Sequence, residues 1–505
     1  MAFESRRRWM RAAVMLLGVA VGIEVFAGRA AAQPADSRAL AAAEEFERVV
    51  TGVIESCAPS VVAIAQDRRR RHGDRPLPFD LDPAALRRIS PLSSDFVPTY
   101  FGSGVVVDAA GLVLTNYHVL GFDNEDYEVD HYVTTADRKV YRARIKAADP
   151  RSDLAILELV LPDGLPAQGL KLKPMLLGDG SAARRGTMVI ALGNPYAIAR
   201  DGQASASWGI VANVDRKLPA SADEDVAAQG KTTLHHYGGL IQSDARLNLG
   251  TSGGALVNLR GEMIGLTTAV AAQVGYETSA GFAIAVDDVF RRALESLKAG
   301  REVEYGFLGV QPAPAEADLL GGAPTSATGV RVERVVRGGP GERAGLRRDD
   351  RVTAIDGAPI ATADDLVLGI SRLPPEANVR LSVIRAGRAS ELTAELTKAR
   401  VVGRRVVTDR PSAWRGLRVE WPAAIVPPQE LIEIPTGCVA VRSIAAQSPA
   451  ARAGLAAGML ISRVGDRDVS TLAAFRDAVA THTGPVELTI RTPEGEPRRL
   501  IVAEE

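Results

Sequence analysis

The chain has 505 residues, 46% of them hydrophobic and 24% charged, with a formal net charge of −1. That length exceeds a single hydrophobic core and implies about two to four domains, while the near-zero charge removes the electrostatic case for nucleic-acid binding. Cys57 and Cys438, the only two cysteines, are too few for a disulfide framework or a cysteine zinc site, and both read as small buried apolar residues.

At the N-terminus, Arg6-Arg7-Arg8 precede an apolar run from Ala12 to Ile23, and Ala30-Ala31-Ala32 stand before Gln33-Pro34. Basic, apolar and small-residue regions in that order describe a secretory signal over residues 1–32, so an exported, periplasmic chain is expected. The run is shorter than the ~20 residues of a membrane span, and Glu24 interrupts its end. Ser5-Arg6-Arg7-Arg8-Trp9 loosely resembles a twin-arginine signal. The export route, and retention of the segment as a membrane anchor, both stay open.

Residues 33–50, around Ala41-Ala42-Ala43-Glu44-Glu45-Phe46, read as a lead helix. From Pro59 onward the pattern turns to short apolar runs bounded by turn residues: Val61 to Ile64, Gly104 to Val107 and Val113 to Thr115. Many short strands at close spacing argue for a β-barrel or sandwich. Between the first two lies a polar insertion from Asp67 to Tyr100, opening on Arg68-Arg69-Arg70-Arg71, which reads as a solvated loop. A second loop, Leu218 to Gly230, is rich in Ala and Asp. His235-His236 follow it; neighbours on a strand point to opposite faces, so they read as polar loop or strand-edge residues with no metal role. Asp287 to Ala299 has apolar residues at helical spacing and stops at Gly300, a natural helix terminator. The first large domain therefore spans residues 51–300.

The last third repeats itself. Gly339-Pro340-Gly341-Glu342-Arg343-Ala344-Gly345-Leu346 matches Ser448-Pro449-Ala450-Ala451-Arg452-Ala453-Gly454-Leu455. After each come an apolar strand, a tight turn, a helical stretch (Ala363 to Leu373; Leu472 to Ala480) and a closing strand. The expected domains are residues 304–398 and 413–505, with a basic linker, 399–412, between them.

Three segments carry the chemistry: Thr115-Asn116-Tyr117-His118-Val119, Asp153-Leu154-Ala155 and Gly250-Thr251-Ser252-Gly253-Gly254. A serine hydroxyl is a poor nucleophile until a base takes its proton, and that base needs a carboxylate to hold its tautomer. The order His…Asp…Ser is that of chymotrypsin-like proteases, not of subtilisins or α/β-hydrolases. His118 lies where a strand gives way to a loop, and Asp153 opens an apolar strand, where a carboxylate needs a hydrogen-bonding partner. The glycines around Ser252 allow a tight turn that aims the N–H groups of Gly250 and Ser252 at one oxyanion.

These residues resemble the HtrA/Deg family of trypsin-fold serine proteases. Pro59-Ser60-Val61-Val62, Gly193-Asn194-Pro195, Gly209-Ile210-Val211, Ile241-Gln242-Ser243-Asp244-Ala245 and Gly281-Phe282-Ala283-Ile284 add to the resemblance. It implies a mainly β chain: a chymotrypsin-like double β-barrel followed by two small α/β PDZ domains. It makes His118 the general base, Asp153 its orienting acid and Ser252 the nucleophile, with no cofactor or metal. It also implies unfolded or damaged proteins as substrates, trimer-based homo-oligomers and peptide C-termini as PDZ ligands. Phe307-Leu308-Gly309-Val310 resembles the family's carboxylate-binding loop. The second repeat aligns there as Gly416-Leu417-Arg418-Val419, with Arg418 in the glycine position, which points to packing or assembly instead. Leu266, Thr267, Thr268 and Ala269, the expected primary-specificity wall, carry no charge and favour small or medium aliphatic substrate side chains. Departures from the family pattern are Thr251 for Asn or Asp, and Leu249, Ala255 and Ala285 for prolines. They leave a catalytically silent chaperone or peptide-binding scaffold as the competing reading.

Overall fold

The computed structural model of the chain describes residues 37–70, 98, 100–122, 127–161, 165–166, 169–194, 202–218, 232–268, 281–313, 329–426, 432–480, 482–492 and 496–504. The expected signal segment, most of the 67–100 insertion, most of the 218–230 loop, Pro195 and Ala269 lie outside the described residues. Helix α1 (Ser37–Cys57) runs past the expected end at residue 50. Its sequence is rich in good helix formers, and no proline intervenes before Pro59, in the following one-turn helix Ala58–Ser60. The helix up to Val53 belongs to one compact unit and Ile54–Glu505 to another; every expected site residue is in the second.

Six antiparallel strands make the first barrel: β1 (Val61–Arg70), β2 (Tyr100–Asp108), β3 (Leu112–Asn116), β4 (Tyr127–Thr134), β5 (Val140–Asp149) and β6 (Leu154–Val160). Their order is β5-β4-β1-β2-β3-β6, and β5 pairs with β6 to close the ring. Inward residues such as Val62, Ile64, Val106, Val113, Val133, Leu157 and Leu159 fill it. The arginine run departs from the expected loop. β1 continues through Arg70, with Arg68, Arg69 and Arg70 opposite Val129, Glu128 and Tyr127 of β4. The pairing satisfies the backbone there, and the Arg68 guanidinium lies over the Tyr100 ring, 3.4 Å from its centroid.

The second barrel closes in the order β10-β11-β12-β9-β8-β7. Its strands are β7 (Met188–Gly193), β8 (Ser205–Arg216), β9 (Leu240–Ser243), β10 (Ala255–Asn258), β11 (Met263–Thr268) and β12 (Gly281–Ala285). Helix α2 (Asp288–Lys298) follows, capped by the Asp287 carboxylate, which accepts from the Phe290 N–H at 2.8 Å. Its apolar face, Phe290, Ala293, Leu294 and Leu297, is buried, and the helix packs on β5 and β6 of the first barrel. The chain thus leaves the second barrel and straps back across the first.

After α2, β13 (Gly306–Phe307) pairs with β20 (Thr397–Lys398) and brackets the first repeat. Within it β14 (Val310–Pro312), β15 (Val330–Val335), β16 (Arg351–Ile355), β18 (Asn378–Arg385) and β19 (Arg388–Glu395) form one sheet in that order, with β17 (Ala358–Pro359) paired to β16. Helix α3 (Ala363–Ser371) carries a Thr362–Asp365 capping box. The second repeat has the same plan: β22 (Leu417–Glu420), β23 (Val439–Ile444), β24 (Leu460–Val464), β26 (Val486–Arg491) and β27 (Arg498–Val502), with β25 (Arg467–Asp468) on β24 and helix α4 (Leu472–Ala480). Each repeat has its own apolar core.

The segment between the repeats is no free linker. β21 (Val406–Val407) adds to the first barrel, opposite Ala148 and Ala147 of β5. At its start, Lys398 is buried among Glu302, Glu304 and Glu420 at 3.2, 3.0 and 2.9 Å, and Arg405 and Arg442 also bind Glu302. Burial pulls the lysine pKa down, but the three carboxylates outweigh it and hold the ammonium charged. A basic stretch that reads as a linker in sequence is neutralised by acids from two other segments.

The buried His131 of β4 places its Nε2 3.1 Å from the Leu120 carbonyl. Burial pulls its pKa down to about 4 against that hydrogen bond, with Arg68 pulling the same way. The unfolded chain therefore binds one more proton between about pH 4 and 6.5, and stability falls as pH drops through that window. The difference amounts to roughly 3 kcal/mol. In thermal denaturation of His131→Gln, the melting temperature is expected to fall less from pH 7 to pH 5 than in the wild type.

Candidate active site

The β3–β6 register sets Asn116 opposite Leu154, which brings the segment after β3 against the residue that opens β6. His118 lies in the one-turn helix Tyr117–Leu120. Its Nδ1 is 2.9 Å from Asp153 Oδ2 and 3.1 Å from Oδ1, and its backbone N–H donates to Oδ1 at 3.1 Å. The Asp153 carbonyl in turn accepts from Tyr117 N–H at 3.0 Å and from Asn116 Nδ2 at 3.3 Å. The imidazole keeps 46% of its side-chain surface open, against 11% for the Asp153 carboxylate. Burial acts to lower the His118 pKa, but the charge and hydrogen bond of Asp153 overcome it and the net shift is upward.

Asp153 adopts φ +56°, a left-handed conformation that costs energy for any residue with a side chain. The turn around it supports that conformation. Ser152 N–H and Oγ donate to Asp149 Oδ2 at 2.8 and 2.6 Å. From beside the second barrel, Leu234 N–H donates to the Arg151 carbonyl at 2.8 Å, and His235 Nε2 to the Ser152 carbonyl at 2.9 Å. Burial holds the His235 pKa down and keeps the ring neutral. His235 is therefore a buried prop in a one-turn helix, Leu234–His236, not the polar edge residue expected. Adjacent histidines show no helical or strand periodicity of their own, so the sequence did not expose this.

The loop before β10 is fastened to both barrels by one residue that sequence reasoning passed over. Ser103, fully buried on β2, donates its N–H to the Ser252 carbonyl at 2.8 Å. Its hydroxyl donates to the Gly250 carbonyl at 2.6 Å and accepts from Asn194 N–H, at the end of β7, at 2.7 Å. A Cβ on Gly253 would stand 2.1 Å from the Ser103 carbonyl, so only glycine allows this approach. A Cβ on Gly102 would meet Val119 Cγ1 at 2.6 Å and the Ser252 carbonyl at 3.4 Å. The backbone of Ser252 and the residue after His118 therefore pack on the same short piece of β2. The flanking glycines of Gly102-Ser103-Gly104 were the available signal.

Thr251 hydrogen-bonds through Oγ1 to the Asn248 carbonyl at 2.7 Å, and its own carbonyl accepts from Thr267 Oγ1 at 2.5 Å. Thr267 also exchanges backbone bonds with Gly253 and Gly254. Of the expected specificity wall, Leu266, Thr267 and Thr268 are all buried in β11. Thr267 supports the serine loop, and Thr268 Oγ1 has no partner among the described residues.

In the first repeat Phe307 lies in β13, Leu308 is buried, Gly309 has φ +75° and Val310 opens β14. The Leu308 and Gly309 carbonyls accept from Gly341 and Val336. The same two bonds in the second repeat run from Ala450 to Arg415 and from Ala445 to Gly416. The structural counterpart of Gly309 is thus Gly416, at φ +83°, and not Arg418. The constant-offset alignment failed because Val336 follows Gly309 by 27 residues whereas Ala445 follows Gly416 by 29. The second loop nevertheless differs. Trp414 and Leu417 exchange backbone hydrogen bonds at 3.0 and 2.8 Å around Arg415 and Gly416, so the Leu417 N–H is already engaged.

Comparison with known proteins places these features. Residues 102–266 match the trypsin-like peptidase domain family and residues 306–396 the PDZ domain family. A probable periplasmic serine endoprotease DegP-like of Chlamydia trachomatis is 30% identical over 406 residues, covering 79% of this chain and 74% of that one. The periplasmic serine endoprotease DegP of Salmonella typhimurium is 30% identical over 392 residues, covering 77% and 74%. The solved HtrA-type protease AlgW with tripeptide matches 69% of this chain and 96% of its own at 25% identity, with a TM-score of 0.49.

Ser103→Ala leaves the Gly250 carbonyl without its hydroxyl donor and the Asn194 N–H without its acceptor. Unfolding by urea is expected to show a loss of about 1–3 kcal/mol. Hydrolysis of a protein substrate is expected to slow by ~10-fold or more, because the serine loop is no longer fixed.

Proposed function

The chain belongs to the HtrA/Deg family of trypsin-fold serine proteases and is a serine endopeptidase, and on that premise we propose that His118, Asp153 and Ser252 perform its chemistry. The observation that carries this reading is the double hydrogen bond between His118 Nδ1 and the Asp153 carboxylate. It leaves Nε2 to act as the base, and the serine loop is clamped to the strand beside that histidine. Ser252 Oγ attacks the scissile carbonyl while His118 Nε2 takes its proton, and Asp153 stabilises the resulting imidazolium. The N–H groups of Gly250 and Ser252 receive the oxyanion. His118 then returns the proton to the leaving amine. Water hydrolyses the acyl-enzyme by the same steps in reverse roles.

The substrates are unfolded or damaged proteins, cleaved without ATP outside the cytoplasm. Relatives named as periplasmic endoproteases and the basic-apolar-small pattern of residues 1–32 support that location. Leu266, Thr267 and Thr268 bound the primary pocket, and the absence of charge among them supports small or medium aliphatic residues before the cut. Peptide C-termini bind the first PDZ domain at Phe307-Leu308-Gly309-Val310 and regulate cleavage. The contacts of α3 support such coupling. Ser371 Oγ accepts from Arg151 Nη2 at 2.8 Å, inside the turn that carries Asp153, and Arg292 Nη1 donates to the Arg372 carbonyl at 2.6 Å.

In a casein cleavage assay, Ser252→Ala is expected to lose roughly 10⁶-fold of the rate, and Asp153→Asn ~10⁴-fold. Equal cleavage by wild type and Ser252→Ala would sink the protease assignment of these residues. The base works only when neutral, so kcat/KM in the wild type is expected to rise with pH through an apparent pKa above about 6.5. Asp153→Asn removes the charge that raises it, so its residual activity should survive to lower pH.

A further inference from the structure

Tyr305 lies in the connection between α2 and β13, outside both barrels, and is completely buried. A phenol in such a place needs a partner for its hydroxyl. Its O–H donates to Asp149 Oδ2 at 2.5 Å, the same carboxylate oxygen that accepts the N–H and Oγ of Ser152. Asp149 ends β5 and Asp153 precedes β6, so three residues, Pro150 to Ser152, span the turn between them. The carbonyls of that turn are held from one side by Leu234 and His235. Its carboxylate anchor, Asp149, is held from the other side by Tyr305.

We propose that Tyr305 is a positioning residue for the reaction: through Asp149 and Ser152 its hydroxyl fixes the turn that aims the Asp153 carboxylate at His118. The proposal rests on the reading of Asp153 as the orienting acid. The physical case is the strained φ of Asp153, which persists only where its surroundings over-determine it. Asp149 Oδ1 is buried with no partner among the described residues, so the carboxyl group is held by the donors at Oδ2. Burial raises the Asp149 pKa, while Ser152 and Tyr305 oppose the rise, and Tyr305 is itself driven well above its ordinary range by burial and by Asp149. Among the described residues, the titratable and charged groups facing this carboxyl are Tyr305, Arg151 and Tyr117, and Asp153 faces His118. Losing the phenol hydroxyl leaves two donors, both from Ser152, and frees the turn to rotate Asp153 off the imidazole.

The test compares full-length wild type with Tyr305→Phe, which keeps the ring and removes only the hydroxyl. A fluorophosphonate that phosphonylates the active serine, its P–F bond breaking as the serine O–P bond forms, counts competent sites, so kcat is expressed per titrated site. Expected are a ~10- to 100-fold lower kcat with KM unchanged, and an acid limb of the pH profile moved to lower pH as Asp153 loses its alignment. A lower melting temperature or fewer titratable sites, with kcat per site and the pH profile as in wild type, would mean that Tyr305 is only a packing residue and would overturn the proposal. If Tyr305→Phe does not fold, Ser152→Ala removes another donor to the same oxygen and is read against the same two outcomes. Failure of the fluorophosphonate to label wild type at Ser252 strikes the proposed function instead, so the two failures are distinguishable.

Discussion

Asp153 cannot relax. Its carboxylate accepts from the backbone and ring of His118, its carbonyl accepts from Tyr117 and Asn116, and its φ stays in the left-handed region. An αL aspartate is costly in an open turn but stable where both polar ends are spoken for. Much of the surrounding architecture holds this geometry: the β3–β6 register sets the distance, Asp149 and Ser152 shape the turn, and Leu234 and His235 hold its outer carbonyls. The turn is thereby shared by the first barrel, the segment beside the second, and the connection to the repeats.

The serine loop obeys a complementary constraint. Ser252 comes from the second barrel while His118 and Asp153 come from the first, so the two halves need a common reference. Ser103 supplies it with three hydrogen bonds, to Ser252, Gly250 and Asn194. Gly253 lets the two backbones approach closely enough for those bonds to form. Thr251, though it departs from the family pattern, is tied to Asn248 and Thr267. Those side-chain hydrogen bonds hold the loop in a way that a motif comparison does not register.

Beyond the barrels, the repeats are docked through polar contacts. α3 of the first repeat reaches Arg151 through Ser371, and Lys217 pairs with Asp364 at 2.9 Å. The second repeat joins through the buried cluster of Lys398, Glu302, Glu420, Arg405 and Arg442. Such a cluster contributes little net stability once desolvation is counted, but it is intolerant of misplacement, because any unpaired member is a buried charge. The arrangement fixes position more than it adds stability.

The sequence by itself determined the elements that depend on local pattern. Short apolar runs between turn residues, helical spacing that stops at Gly300 and the Ala-Gly-Leu repeat located the barrels, α2 and the two small domains, because periodicity and capping act within a few residues. The order of His118, Asp153 and Ser252 was legible for the same reason. Tertiary structure alone decided which side chains support them. His235 looked like a loop residue until its ring met a carbonyl 83 positions away, and Tyr305 had no motif at all. The arginines after Asp67 read as a solvated loop, and the stretch around Val406 as a linker, because their partners lie on β4 and β5. The Gly416 alignment failed through a change in loop length, which a fixed offset cannot follow but a hydrogen-bond pattern can. Burial and pairing between distant segments are properties of the packed chain, and a one-dimensional pattern carries them only where the partners happen to be neighbours.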